Sequence, residues 1–163
     1  ALRFAGGGGE ASGLVLLAPY LAHDAPTLRA GNSAGGWAQP KIPRIILLSI
    51  LNGFGVHAFD DVTTIEFSMP EEARDGTETL AYSHRLNVGY APRNWQKDLA
   101  ATTVPLILIV GSEDEAFAAN RFGPAILPHA PDAEVRIVEG AGHLGLVGEE
   151  RVAEILRAWQ GSL

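Results

Sequence analysis

The chain has 163 residues, 47% of them hydrophobic and 19% charged, which suffices to bury a core and excludes a disordered tail. Twelve Lys and Arg against nineteen Asp and Glu leave a formal net charge of −7. That balance argues against a surface built for nucleic acid or anionic lipid, and no Cys is present, so disulfides, a thiolate nucleophile and Cys-ligated zinc are excluded.

Residues Ala1–Ala5 predict the end of a helix, with Leu2 and Phe4 apolar and the run Gly6–Gly9 terminating it. A phosphate cradle is disfavoured at these glycines, because such loops follow a strand and open a helix. Gly13-Leu-Val-Leu-Leu-Ala-Pro19 is a short apolar run, as expected of a strand covered on both faces in a parallel sheet. From His23 to Tyr90 the periodicity changes, punctuated by Pro26, Pro40, Pro43 and Pro70 around the apolar stretch Ile45–Phe54. A connection of this length predicts an inserted, mainly helical segment with an apolar face. Trp37, Phe54, Phe59 and Phe67 are expected as its apolar anchors.

Arg93–Ala101 predicts a helix with Trp95 and Leu99 on one stripe. Val104–Val110 and Ala133–Val138 are two further strands, each followed by a glycine-containing turn. Gly148–Gln160 predicts a surface helix, with Val152, Ile155, Leu156 and Trp159 at i, i+3, i+4 and i+7. Strands alternating with amphipathic helices imply an α/β layered fold. The apolar runs fall far below the ~18 residues of a membrane-spanning segment, so no transmembrane segment is expected. The chain begins Ala1-Leu2-Arg3-Phe4 without an initiator Met, and the gene product is expected to start upstream.

Two turns concentrate the chemistry. Gly111-Ser112-Glu113-Asp114-Glu115 sets carboxylates at the carboxyl end of one strand, and Gly140-Ala141-Gly142-His143 sets an imidazole at the carboxyl end of the next. A carboxylate bonded to one imidazole nitrogen fixes the tautomer, and the other nitrogen then accepts a nucleophile's proton. Asp114 and His143 are the candidates for that pair. Taken singly, Asp114 is a helix cap and His143 a loop residue; their placement after successive strands is what favours chemistry. Glu113 and Glu115 read as solvated charges or first-turn helix residues, and His129 as an exposed loop residue. His23, His57 and His84 belong to the insertion and lack a paired ligand spacing, so no metal site is supported.

The segments Leu14–Tyr20, Val104–Phe117 and Glu139–Gly145 resemble the C-terminal half of the α/β-hydrolase superfamily, particularly its lipases and esterases with a lid inserted after the sixth strand. The resemblance implies parallel strands with flanking helices over residues 1–21 and 92–163, and a lid over 22–91. It maps the triad acid onto Asp114 and the triad base onto His143. The nucleophilic Ser and the oxyanion-hole donors would then lie upstream of Ala1, on a complementary N-terminal segment of the same protein. It implies a small-molecule carboxylic ester of moderately apolar character as substrate, no cofactor and no nucleic-acid partner. Epoxide, haloalkane or carbon–carbon hydrolysis on the same fold, and a noncatalytic ligand-binding module, are the alternatives.

Two further residues enter here. Gly31-Asn32-Ser33-Ala34-Gly35 satisfies Gly-x-Ser-x-Gly literally, but no apolar strand precedes it and Pro40 soon follows, so Ser33 is expected in a loop. Asp24, after the first strand, stands where some members of the superfamily carry the acid, and is the second choice behind Asp114.

Overall fold

The computed structural model describes residues 1–29, 38–69, 71, 74–90 and 93–162. In chain order the elements are α1 (Leu2–Gly6), β1 (Leu14–Leu17), β2 (Ala38–Pro40), α2 (Ile42–Gly53), β3 (Thr63–Phe67), β4 (Ala81–Ser83), α3 (His84–Tyr90), α4 (Trp95–Ala100), β5 (Leu106–Gly111), α5 (Phe122–Ile126), β6 (Glu134–Val138) and α6 (Glu150–Gln160). Single 3-10 turns lie at Ala119–Arg121 and Gly145–Gly148. The chain divides into two compact units, one of Ala1–Arg29 with Pro92–Leu163 and one of Ala30–Ala91.

The first unit is a parallel sheet in the order β1-β5-β6 with helices around it. Central β5 is buried at all six residues, as its unbroken Leu-Ile-Leu-Ile-Val run requires. Strand β1 differs from expectation. Leu14 and Leu16 are buried, whereas Val15 and Leu17 are 38% and 37% exposed, so among the described residues only one of its faces is covered. β6 likewise has β5 as its only ladder partner there, and its Ile137 is exposed. Burial on both faces is thus confined to the strand with neighbours on both sides.

The predicted helices are present. Trp95 and Leu99 of α4 are buried, and Asn94 caps this helix by accepting from the Lys97 N–H at 2.8 Å. Helix α1 packs against α4 so closely that a Cβ on Gly6 would overlap the Asp98 main chain. Among Gly6–Gly9 the positive φ belongs to Gly8 (86°), while Gly6 serves close approach. Phe4 of α1 is exposed. In α6, Val152 is buried, with Ile155, Leu156 and Trp159 packed against the same core.

Residues 22–29, placed in the insertion on sequence grounds, belong to the first unit. They run beside the segment after β5, where Ala118 N–H donates to Thr27 O at 2.8 Å and Arg29 N–H to Ala116 O at 3.2 Å. Ser33 and Trp37 lie outside the described residues.

The second unit holds α2, α3 and a three-stranded antiparallel sheet in the order β2-β3-β4. The mainly helical expectation leaves this sheet out, because its strands are three to five residues long and carry too little periodicity to register. Helix α2 buries Leu48, with Ile42, Ile46, Leu47 and Ile50 exposed. Phe54 and Phe59 are also exposed, while Phe67 packs edge-to-face on Tyr82 at 4.7 Å.

Candidate active site

Strands β5 and β6 end side by side, with Gly111 paired to Val138, so the loops that follow them leave from the same edge of the sheet. A Cβ at Gly111 would overlap the Ala141 carbonyl, and this close approach of two main chains is what the glycine permits. Consecutive residues of one loop then bond the other. Ser112 N–H donates to Val138 O at 2.9 Å, and Ser112 Oγ accepts from Gly140 N–H at 2.8 Å. Glu113 N–H donates to Ala141 O at 3.0 Å. Gly140 has φ 73°, a left-handed turn position suited to glycine.

Asp114 is fully buried and its two carboxylate oxygens have separate tasks. Oδ1 accepts from the main-chain N–H groups of Ala116 at 2.9 Å and Phe117 at 2.8 Å, which closes the turn after β5. Oδ2 lies 2.8 Å from Nδ1 of His143, whose side chain is 17% exposed. Burial by itself raises the Asp114 pKa, but the His143 hydrogen bond, the Phe117 N–H, the His143 charge and the Ala116 N–H together carry it below its ordinary value of 3.8. An ionised carboxylate only accepts, so Nδ1 of His143 carries the hydrogen it shares with Asp114. This assigns the tautomer, and Nε2 is the nitrogen that can take up a proton. The Phe117 ring stands 5.3 Å from the imidazole, centroid to centroid.

Two residues enter the site that the sequence reading left out of it. Arg29 donates from Nε to the carbonyls of Asp114 at 2.7 Å and Phe117 at 3.1 Å, holding the acid turn from across the chain. A separation of 85 positions between Arg29 and Asp114 leaves no local pattern by which to find it. Glu115, exposed beside the acid, accepts the main-chain N–H of His143 on Oε2 at 2.9 Å. Its adjacency to Asp114 was the available signal.

The other described sequence candidates each have their own surroundings. Asp24 is exposed in the turn after β1, and His23 is exposed beside it. His129 is half-buried against Trp95, with ring centroids 5.6 Å apart. His57 bonds Asp60 in the second unit at 3.1 Å, and His84 of that unit is fully buried. Among the described residues no three His, Asp or Glu side chains are grouped to hold a metal ion, and no helix is long and apolar enough to cross a membrane.

No protein-family model matches the sequence, and no curated protein does. Solved structures do resemble it. A carboxylesterase of the thaumarchaeon Nitrososphaera gargenis matches with a TM-score of 0.50 and 18% identity over 97% of this chain and 58% of its own. A monoacylglycerol lipase of Paleococcus ferrophilus matches with a TM-score of 0.52 and 18% identity over 97% of this chain and 63% of its own. The protein named non-heme bromoperoxidase BpoC, of Mycobacterium tuberculosis H37Rv, matches with a TM-score of 0.54 and 15% identity over 98% of this chain and 61% of its own. The chain therefore spans about three fifths of the length of these structures, and at such identities the likeness is one of fold.

Proposed function

On the premise that the chain carries part of an α/β-hydrolase fold, we propose that it supplies the acid and base of a carboxylic-ester hydrolase, with Asp114 and His143 in those roles. The observation that carries this reading is the 2.8 Å contact between His143 Nδ1 and the buried carboxylate of Asp114 at the carboxyl ends of adjacent parallel strands.

In this reading a Ser on the portion of the protein preceding Ala1 attacks the ester carbonyl, and His143 Nε2 accepts the hydroxyl proton as the Ser–carbon bond forms. The resulting imidazolium is stabilised by Asp114. Collapse of the tetrahedral intermediate breaks the ester C–O bond, and the proton passes from Nε2 to the departing alkoxide. Water then attacks the acyl-enzyme by the same proton relay, releasing the acid and restoring Ser. Among the described residues the open edge of β1 supports a further parallel strand from the same protein, and the exposed Val15 and Leu17 support a layer over that face. The insertion serves as a lid, and the substrate is a moderately apolar ester, in keeping with Phe117 beside the imidazole.

The test is turnover of a short-chain p-nitrophenyl ester by the complete polypeptide. His143→Ala is expected to abolish it, and turnover that persists would overturn the base assignment. A fluorophosphonate is expected to label a Ser ahead of Ala1, and a label mapped to Ser33 by mass spectrometry would move the nucleophile into this chain.

A further inference from the structure

We propose that Glu115 is a positioning residue for His143, an inference that rests on the reading of His143 as the base. Adjacent carboxylates take hold of two different parts of one residue: Asp114 holds the ring at Nδ1, 2.8 Å away, and Glu115 holds the main-chain N–H, 2.9 Å away. A side chain pinned at its ring alone still pivots when its backbone moves. Pinning the backbone as well fixes both ends of the Cα–Cβ–Cγ lever, and with them the direction of Nε2.

The turn that carries His143 gives this second anchor its importance. Gly140-Ala141-Gly142-His143-Leu144-Gly145 has three glycines in six residues, so the segment loses more chain entropy on ordering than most and needs fixed partners to hold one conformation. Gly140 and Ala141 are held by Ser112 and Glu113, and Glu115 continues the series at the residue that matters. A hydrogen bond to an ionised carboxylate is stronger than one between neutral groups, which suits a positional anchor at the surface. Gly142 lies against the same carboxylate: a Cβ there would stand 3.2 Å from Glu115 Oε2, a tight contact that the side chain relieves by shifting a few tenths of an ångström.

The experiment is steady-state hydrolysis of p-nitrophenyl acetate by the complete polypeptide and its Glu115→Ala, Glu115→Gln and Gly142→Ala variants, with His143→Ala alongside. Loss of the acceptor in Glu115→Ala is expected to lower kcat about tenfold and leave KM within about twofold, since the base is misaimed while binding is untouched. Glu115→Gln keeps an acceptor oxygen and restores kcat to within about twofold of the parent. Gly142→Ala sets a methyl 3.2 Å from the same oxygen and is expected to lower kcat less than Glu115→Ala does, because the carboxylate can shift by a few tenths of an ångström. The low-field proton resonance of His143 Nδ1–H shifts or broadens in Glu115→Ala and is unchanged in Glu115→Gln. Parental kcat in Glu115→Ala, or a loss that Gln does not rescue, overturns this inference while leaving the base assignment standing. Turnover that survives His143→Ala overturns both.

Discussion

Asp114 and His143 stand 29 positions apart in the chain, and their side chains meet at 2.8 Å, because β5 and β6 are parallel neighbours that end level with one another. The contact is built by the sheet. Neither loop contains a feature that would draw in the other, but the pairing of Gly111 with Val138 delivers both to one edge, and hydrogen bonds from Ser112 to Glu115 tie them there.

The first prediction concerns pH. Asp114 titrates below its ordinary value of 3.8 in the folded protein, so its contribution to stability is complete above that value and is lost as the pH falls through the lower, folded one. The stability difference between the parent and Asp114→Asn is therefore expected to shrink as the pH falls below about 4. Urea titrations of the complete polypeptide across this range measure it. A difference that stays constant into strong acid would mean the carboxylate is not held low.

Gly111→Ala is expected to cost about 3 kcal/mol, because the new methyl overlaps the Ala141 carbonyl, a main-chain group that cannot swing aside. Gly123→Ala in α5 is the comparison: its Cβ meets nothing within 4 Å, and the change is expected to be neutral or to stabilise by up to about 1 kcal/mol. Similar urea midpoints for the two variants would refute the close approach of the loops.

Arg29→Ala removes the Nε donor shared by the Asp114 and Phe117 carbonyls and is expected to cost about 1–2 kcal/mol. The damage should be local. Amide hydrogen exchange is expected to quicken over residues 114–118 and to be unchanged in β5, and exchange that is unaltered in the turn would deny Arg29 its role.

Ala18, directly after β1, has φ 38° and is buried, with its N–H donating to Ile109 O at 2.8 Å. Left-handed backbone costs an L-residue about 1–2 kcal/mol, and burying one methyl gains about 0.8 kcal/mol. Ala18→Gly is thus expected to lie within about 1 kcal/mol of the parent, whereas a β-branched side chain there costs more than about 2 kcal/mol. Equal urea midpoints for Ala18→Gly and Ala18→Val would contradict the strained geometry.

Legibility in the sequence tracked local regularity. The run Leu106–Val110 announces a strand because five consecutive apolar residues have few other homes, and the 3.6-residue stripe of α6 announces its buried face. Glycines beside Asp114 and His143 marked the two turns. The short strands β2, β3 and β4 left no such mark, since a segment of three to five residues with polar neighbours has too few repeats to show a period. Glu115 is exposed, as a solvated charge should be, but its hydrogen bond to His143 is not legible in the sequence, because composition separates charged from apolar residues without saying which main-chain N–H a surface carboxylate meets.

What the sequence determined by itself, then, is the order of strands and helices in the first unit and the identity of the acidic and imidazole-bearing turns, all of which follow from residue spacing within a dozen positions. Tertiary structure alone decided that Arg29 reaches the Asp114 turn and that Glu115 holds the His143 backbone. Those relations join residues whose separation along the chain is fixed by sheet pairing rather than by any repeat. Distance in space becomes independent of distance in sequence once parallel strands align their ends.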